Sequence, residues 1–389
     1  VTVQPLAVAA SPKVRVMLCD DSSTVRSVFA RLLEADPSIQ VVARAGDGQE
    51  ALATLQSLPA EARPHVILLD LEMPVMDGMT ALPLLLKVQP GLAVIVASAL
   101  TQRGAEATMA AMRAGAADYV PKPSAAAGGM NDPTFRADLL AKVKGWARMR
   151  GGAMTRPAAA RPAVPRPTLA RPAATPPAAA PRAALGLRPR PRLLAIGSST
   201  GGPQALAAFV RRLTAPVPVP IVIVQHMPAG FTAMLADHLA RLGGPSAAEA
   251  KDGEMLQAGR IYVAPGDRHL LVENSPSGLV ARLTTDPPEN FCRPAVDPML
   301  RSAAEACEGR VLAVILTGMG QDGMLGCKAV AAAGGTVLAQ DESSSVVWGM
   351  PGAVAKAKLA EALLPPEQLA ERVLAQFGAA GLSAAGGVA

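Results

Sequence analysis

Between residues 13 and 149, short apolar runs alternate with longer segments in which apolar side chains recur every three or four positions. KVRVMLC, IQVVARA, HVILLD, LAVIVAS and DYV read as five strands, mostly apolar without strict alternation, the pattern of strands covered on both faces. Segments 23–34, 51–58, 80–87, 105–114 and 133–149 read as helices. In the first of these, Val25, Phe29, Leu32 and Leu33 share one face. Strand and helix in turn predict a parallel, doubly wound (flavodoxin-like) sheet. A second alternation starts at Leu193. LLAIG, IVIVQH, VLAVILTG and TVLAQD read as buried strands, and 203–213, 232–242, 297–307, 322–333 and 359–376 as helices. Residues 261–265, HLLVEN and LVARLT read as shorter strands between Gly and Pro turns. Together they predict an antiparallel excursion from a larger, mostly parallel α/β domain.

Residues 151–192 separate the two alternations and form a Pro/Ala/Arg tract without apolar period. Such a tract cannot bury enough apolar surface to offset its ordering entropy, so a disordered or polyproline-like linker is expected. The predicted layout is a leader (1–12), a first domain (13–150), this linker, a second domain (193–378) and a frayed tail (379–389). A chain of 389 residues suits two domains at roughly 150 residues each.

Charge changes this picture less than a pI near 9.4 suggests. The linker holds eight arginines and no acid or lysine, so the formal net charge of +6 becomes −2 outside it. With aromatics at 3% and no basic-aromatic interleaving, nucleic-acid binding is disfavoured. The N-terminus lacks the pattern of a secretion signal, and no apolar run reaches the ~18 residues of a membrane span. A soluble, cytoplasmic protein with no membrane insertion is expected. Cys19, Cys292, Cys307 and Cys327 show no CxxC spacing and read as reduced and structural.

Ligand chemistry in a parallel sheet collects where strands end at their carboxyl edge. Asp20 and Asp21 follow the first strand, Asp70 ends the third, Ser98 ends the fourth and Lys122 follows the fifth. Three carboxylates at one edge repel one another unless a cation neutralises them, and an all-oxygen cluster suits Mg²⁺. A hydroxyl and an ammonium beside them can hold the remaining oxygens of a phosphoryl group. These residues, in CDDS, LLDLEMPVMDG and the PKP turn, resemble the receiver domain of bacterial response regulators. The resemblance implies Asp70 as phosphoacceptor, Ser98 and Lys122 as phosphate-sensing groups, Tyr119 at the aromatic switch position and a cis Lys122–Pro123 bond. It also implies Mg²⁺ held by Asp21, Asp70 and the backbone carbonyl of Glu72, with Asp20 acting largely through water.

In the second domain, Ser198 and Ser199 follow LLAIG, His226 follows IVIVQ, and Asp322 comes shortly after VLAVILTG. A serine hydroxyl needs a base within hydrogen-bond reach; an imidazole can serve, and a carboxylate fixes its tautomer. The glycines of STGG and TGMGQDG let backbone N–H groups approach a developing oxyanion. Taken alone, SSTGG before a helix is equally a phosphate-binding turn, His226 a structural histidine and Asp322 a helix cap. Their joint placement at strand ends favours acyl transfer. His238 reads as part of a solvated helix face, His269 as a strand residue away from that edge, and Asp297 as a helix-initiating acid and the runner-up carboxylate.

IGSSTGG, VIVQHMP, FCRPAVDPM, ILTGMGQDG and SVVWGMP resemble the catalytic domain of chemotaxis protein-glutamate methylesterases of the CheB type. The likeness runs over residues 193–364. It implies Ser199 as nucleophile, His226 as general base and Asp322 as orienting acid. Thr200 and Met319 belong to the implied surroundings, with backbone amides near both forming the oxyanion hole. Two positions depart from the family's usual residues. Ser198, where alanine is common, stays a rival hydroxyl, and Trp348 stands where a smaller aromatic is usual. The implied activity is hydrolysis of glutamate γ-methyl esters on methyl-accepting chemotaxis receptors, releasing methanol, with glutamine deamidation as a second activity. Phosphorylation of Asp70 by a chemotaxis histidine kinase would relieve a receiver that covers the esterase cleft, and the esterase itself needs no cofactor. The competing reading is a phosphorylation-dependent binding module without catalysis. A DNA-binding output is disfavoured, because the second half shows no helix-turn-helix signal or basic stripe.

Overall fold

The computed structural model describes residues 13–99, 101–122, 133–151 and 190–378. The expected leader, nearly all of the linker, the tail and the Lys122–Pro123 bond lie outside the described residues.

The first domain runs β1 (Val14–Cys19), α1 (Ser23–Glu34), β2 (Ile39–Ala45), α2 (Gly48–Ser57), β3 (Val66–Asp70), α3 (Gly78–Val88), β4 (Ala93–Ser98), α4 (Gln102–Arg113), β5 (Asp118–Pro121) and α5 (Pro133–Gly151). Side chains that precede the helices set their starts: Ser22, Asp47, Asp77 and Thr101 each accept a hydrogen bond from a first-turn amide. The five strands pair in parallel in the order β2-β1-β3-β4-β5. Inner strands β3 and β4 are buried at every position, as their unbroken apolar runs require. Strand order reverses between β1 and β3, and the crevice this opens is where Asp20, Asp21 and Asp70 meet.

The second domain continues with β6 (Leu193–Ser198), α6 (Gly202–Arg211), β7 (Ile221–Gln225), α7 (Phe231–Ala240), β8 (Ser246–Glu249), β9 (Arg260–Val263), β10 (His269–Ser275), β11 (Gly278–Thr284), α8 (Val296–Ala306), β12 (Val311–Ile315), α9 (Met324–Ala332), β13 (Thr336–Gln340), α10 (Met350–Lys356), β14 (Ala362–Leu364) and α11 (Pro366–Gly378). Seven of these strands form one parallel sheet in the order β14-β13-β12-β6-β7-β9-β8, and β10 and β11 form a separate antiparallel pair. Here the chain turns back at β6, whose neighbours β12 and β7 lie on either side. Residues after β6, β7 and β12 therefore share one crevice.

Three expectations are corrected. The strand at Ile261 belongs to the parallel sheet, between β7 and the unforeseen β8, so among the described strands only β10 and β11 pair antiparallel. Segment 359–376 is not one helix. Ala362–Leu364 pairs with β13, and the prolines at 365 and 366 stop a helix from running through and start α11 instead. His238 is buried on α7 and not solvated.

The domains pack directly on each other. Tyr119 of β5 stacks on Phe231 of α7, with ring centroids 5.2 Å apart and planes 17° from parallel. Gln204 Nε2 donates to the Ala116 carbonyl at 2.7 Å. Arg148 of α5 donates to the carbonyls of Ser345 at 2.5 Å and Val346 at 3.2 Å. Gly145 on the same helix lies so close to the Val346 carbonyl that a side chain there would collide with it.

Candidate active site and phosphorylation site

Asp70 closes β3 and is 3% exposed. Lys122 Nζ donates to Asp70 Oδ2 at 2.6 Å and lies 2.9 Å from Asp20 Oδ2. Burial pushes the Asp70 carboxyl above its ordinary range, and the bond from Lys122 opposes that rise. Carboxylate oxygens of Asp20, Asp21 and Asp70 lie within 4.8 Å of one another. Asp20 Oδ2 is buried without hydrogen-bond geometry to any partner, the ammonium of Lys122 being its only ion-pair neighbour among the described residues. An all-oxygen donor set that repels itself fits a hard divalent cation. Ser98 Oγ donates to the Gly104 carbonyl at 3.0 Å, toward α4 and not Asp70. The Glu72 side chain lies outside, 3.7 Å from Arg103.

In the second domain, Ser199, Thr200, His226 and Met319 line one cavity of about 420 Å³. Its opposite wall comes from the first domain and includes Asp118, Tyr119, Lys122, Asp138 and Lys142. Ser198 does not line it. That side chain is fully buried at the end of β6, and its hydroxyl donates to Gln225 Oε1 at 2.7 Å. Strand alternation sends one serine into the sheet and leaves the next in the crevice. The backbone of Ser199 is tied by its amide to the Thr317 carbonyl and by its carbonyl to Gln225 Nε2. Gly318 is required beside it, since a side chain there would press on Ser199 Cβ at 2.8 Å.

His226 Nε2 lies 2.8 Å from Asp322 Oδ2. The carboxylate of Asp322 is itself held by four N–H donors: the amides of Val296 (2.6 Å), Asp297 (3.1 Å) and Gly323 (2.9 Å), and Asn290 Nδ2 (3.1 Å). Two of those amides open α8, which has no side-chain cap of its own, so Asp322 occupies the positive end of that helix. Although burial pushes the Asp322 carboxyl up, the bond to His226 and these amides hold it below its usual range. Burial also opposes protonation of His226, but Asp322 and Cys292 outweigh it and raise the imidazole to about 10. Asp297 makes no bond to His226; it accepts from the Gly326 amide at 2.6 Å and from Asn290 at 3.1 Å. His269 is buried elsewhere, bonded to Ala295 and Pro287.

Several neighbours of the site are not singled out by the sequence patterns. Gln225 ties both serines, and its polarity at the end of an apolar strand is a readable sign. Cys292, expected as a structural cysteine, lines the cavity and places Sγ 3.4 Å from His226 Nδ1. The other three cysteines are buried and free. Asn290 and Phe291 both have positive φ, which turns the loop over the cavity and leaves Phe291 92% exposed. Trp348 donates Nε1–H to the Gln340 carbonyl at 3.1 Å. No helix among the described residues is long and apolar enough to cross a membrane.

Comparison with known proteins points the same way for both domains. Residues 194–373 match the CheB methylesterase family, and residues 16–130 match the response regulator receiver domain family. The protein-glutamate methylesterase/protein-glutamine glutaminase 1 of Paramagnetospirillum magneticum is 51% identical over 94% of this chain and 96% of its own. That of Azospirillum brasilense is 51% identical over 94% of this chain and 93% of its own. The crystal structure of the Thermotoga maritima CheB methylesterase catalytic domain is 42% identical, covering 47% of this chain and 97% of its own, with a TM-score of 0.46. With relatives at this identity across nearly all of its length, the chain belongs to the family of receiver-linked CheB methylesterases, the protein-glutamate methylesterases/protein-glutamine glutaminases.

Proposed function

We propose that this protein removes methyl groups from glutamate γ-methyl esters of methyl-accepting chemotaxis receptors in the cytoplasm, under control of phosphorylation at Asp70. Ser199 attacks the ester carbonyl while His226 takes its proton, methanol leaves, and water activated by the same imidazole resolves the glutamyl-enzyme. Asp322 orients the ring and stabilises the imidazolium. The amides of Thr200 and Met319, which make no hydrogen bond among the described residues, would receive the oxyanion. Attack on a glutamine side chain by the same route releases ammonia, which accounts for a deamidase activity.

The observation that carries this reading is the meeting of Ser199 and His226 in one cavity whose other wall is the receiver, with Asp322 buried behind His226 and bonded to it. Among the described residues Ser199 Oγ makes no hydrogen bond to His226, and the receiver covers the entrance; both fit a resting state. In the receiver, Asp20, Asp21, Asp70 and the backbone carbonyl of Glu72 would hold Mg²⁺, which neutralises charge around the phosphoryl group. Lys122 would pair with the phosphoryl oxygens, and Ser98 would turn from Gly104 to join it. A chemotaxis histidine kinase is the phosphodonor, and Tyr119, now stacked on Phe231, would carry the change to the interface.

Methanol release from methylated receptor, measured with and without a phosphodonor, tests the proposal. Stimulated release supports it; no release under either condition overturns it.

A further inference from the structure

Two carboxylates of the receiver end on the residues that immediately follow Ser199. Asp118 Oδ2 accepts the Gly201 amide at 3.0 Å, and Asp138 Oδ1 accepts the Thr200 hydroxyl at 3.0 Å. Asp118 is 1% exposed and is held rigidly, since Trp146 Nε1 donates to it at 3.1 Å and the Tyr119 amide at 2.9 Å. Lys142 lies 2.9 Å from Asp138 Oδ2, donates to the Tyr119 carbonyl at 2.8 Å and sits over the Tyr119 ring at 4.9 Å. One ammonium thus faces two carboxylates, and both carboxylates end on the turn where an oxyanion would form.

We propose that the receiver disables the chemistry of the esterase as well as access to it: Asp138 and Asp118 pin the Ser199–Gly202 turn by taking the Thr200 hydroxyl and the Gly201 amide. The inference rests on the esterase reading above and concerns how that site is regulated. A developing oxyanion is stabilised only by donors aimed at it, so a turn held in one pose fixes where its free Thr200 amide points. In the docked state two donors of the turn are committed to carboxylates. Of the remaining turn amides, Ser199 donates to Thr317 and Gly202 to Ser199. Only the Thr200 amide is left in the turn among the described residues.

The four-residue strand β5 gives this pin a path to the phosphorylation site. Asp118 begins it, Tyr119 stacks on Phe231, and Lys122, just beyond its end, donates to Asp70 and pairs with Asp20. Lys122 and Ser199 line the same cavity. When a phosphoryl group on Asp70 recruits Lys122, the strand that grips the turn is the strand that is pulled. Asp118 and Asp138 are therefore positioning residues that act through the turn.

A purely steric cover and a pin differ toward an ester small enough to enter the cavity. The full-length protein is assayed with p-nitrophenyl acetate, with and without acetyl phosphate. Under the pin, acetyl phosphate raises kcat on this small ester as it does on methylated receptor. Asp138→Ala without acetyl phosphate frees the turn and raises kcat, by up to the ~10²-fold at the lower end of one oxyanion donor's effect, with KM unchanged. Asp138→Asn, which keeps an oxygen to accept the Thr200 hydroxyl, stays near the parent rate. Hydrogen exchange at residues 342–347 and in α5 stays protected in Asp138→Ala, showing that the domains remain docked. The proposal is overturned if acetyl phosphate leaves small-ester turnover unchanged, if Asp138→Ala does not raise kcat, if Asp138→Asn equals Asp138→Ala, or if the rise comes only with lost protection. Stimulated methanol release from receptor in that same protein would leave the esterase reading standing; absence of all ester hydrolysis would remove both.

Discussion

His226 Nδ1 lies 3.4 Å from Cys292 Sγ while its Nε2 is held by Asp322, so both ring nitrogens are engaged in the docked state. An Nε2–H given to Asp322 leaves Nδ1 as the basic nitrogen, and that nitrogen faces a thiol instead of Ser199. The base must exchange partners before it can take the serine proton.

This arrangement has a pH signature. His226 is raised to about 10 from an ordinary 6.5, and the ring accepts a proton from Ser199 only when neutral. Hydrolysis by the unphosphorylated protein should therefore rise with pH toward that value. Cys292→Ala removes one group that favours the protonated ring and should move the rising limb to lower pH. Asp322→Asn should move it further while cutting the maximal rate by ~10⁴. On the stability side, the raised value stabilises the fold fully below 6.5, and this is lost as pH climbs toward about 10. Profiles of kcat/KM, with melting temperatures over the same range, check both signs.

The two serines should separate cleanly. Ser199→Ala is expected to lower methanol release by ~10³ or more. Ser198→Ala leaves Gln225 Oε1 without its donor inside the sheet and should cost about 1 kcal/mol of stability with activity within tenfold. Labelling by a serine-directed phosphonate should follow Ser199 alone, and thermal unfolding should register Ser198.

Asp70→Asn should abolish stimulation by a phosphodonor and leave basal hydrolysis in place, since Asp70 lies in the receiver crevice and not in the esterase cavity. Chelating divalent cations should give the same pattern in the parent protein. Loss of basal hydrolysis on chelation would contradict a metal-free esterase.

Gly145→Ala sets a methyl group against the Val346 carbonyl and should loosen the α5 contact. Basal release from methylated receptor should rise severalfold and the stimulation ratio fall, both measured in one assay with and without phosphodonor.

Much of this architecture is legible in local pattern. The apolar runs of β3, β4, β6 and β12 are long enough and pure enough to be inner strands of parallel sheets, and parallel strands bring the residues just beyond their carboxyl ends to one edge. Ser199, His226 and Asp322, or Asp20, Asp21 and Asp70, can be grouped from their places after such runs alone. Elements with weak patterns escape: β8 is SAAE, and β14 is three residues that mean little until β13 lies beside them.

Which of two adjacent serines faces the crevice depends on strand register, and Ser198 is buried because Gln225 of the next strand meets its hydroxyl. The thiol of Cys292 reaches His226 through a loop 66 residues away, and Asp118 and Asp138 reach the Ser199 turn across a domain boundary. Periodicity within a segment reports how that segment buries its own apolar face. It carries no information on which polar groups of another domain come to rest against it, and that pairing is decided only when the two domains, each with its sheet complete, pack through α4, β5 and α5.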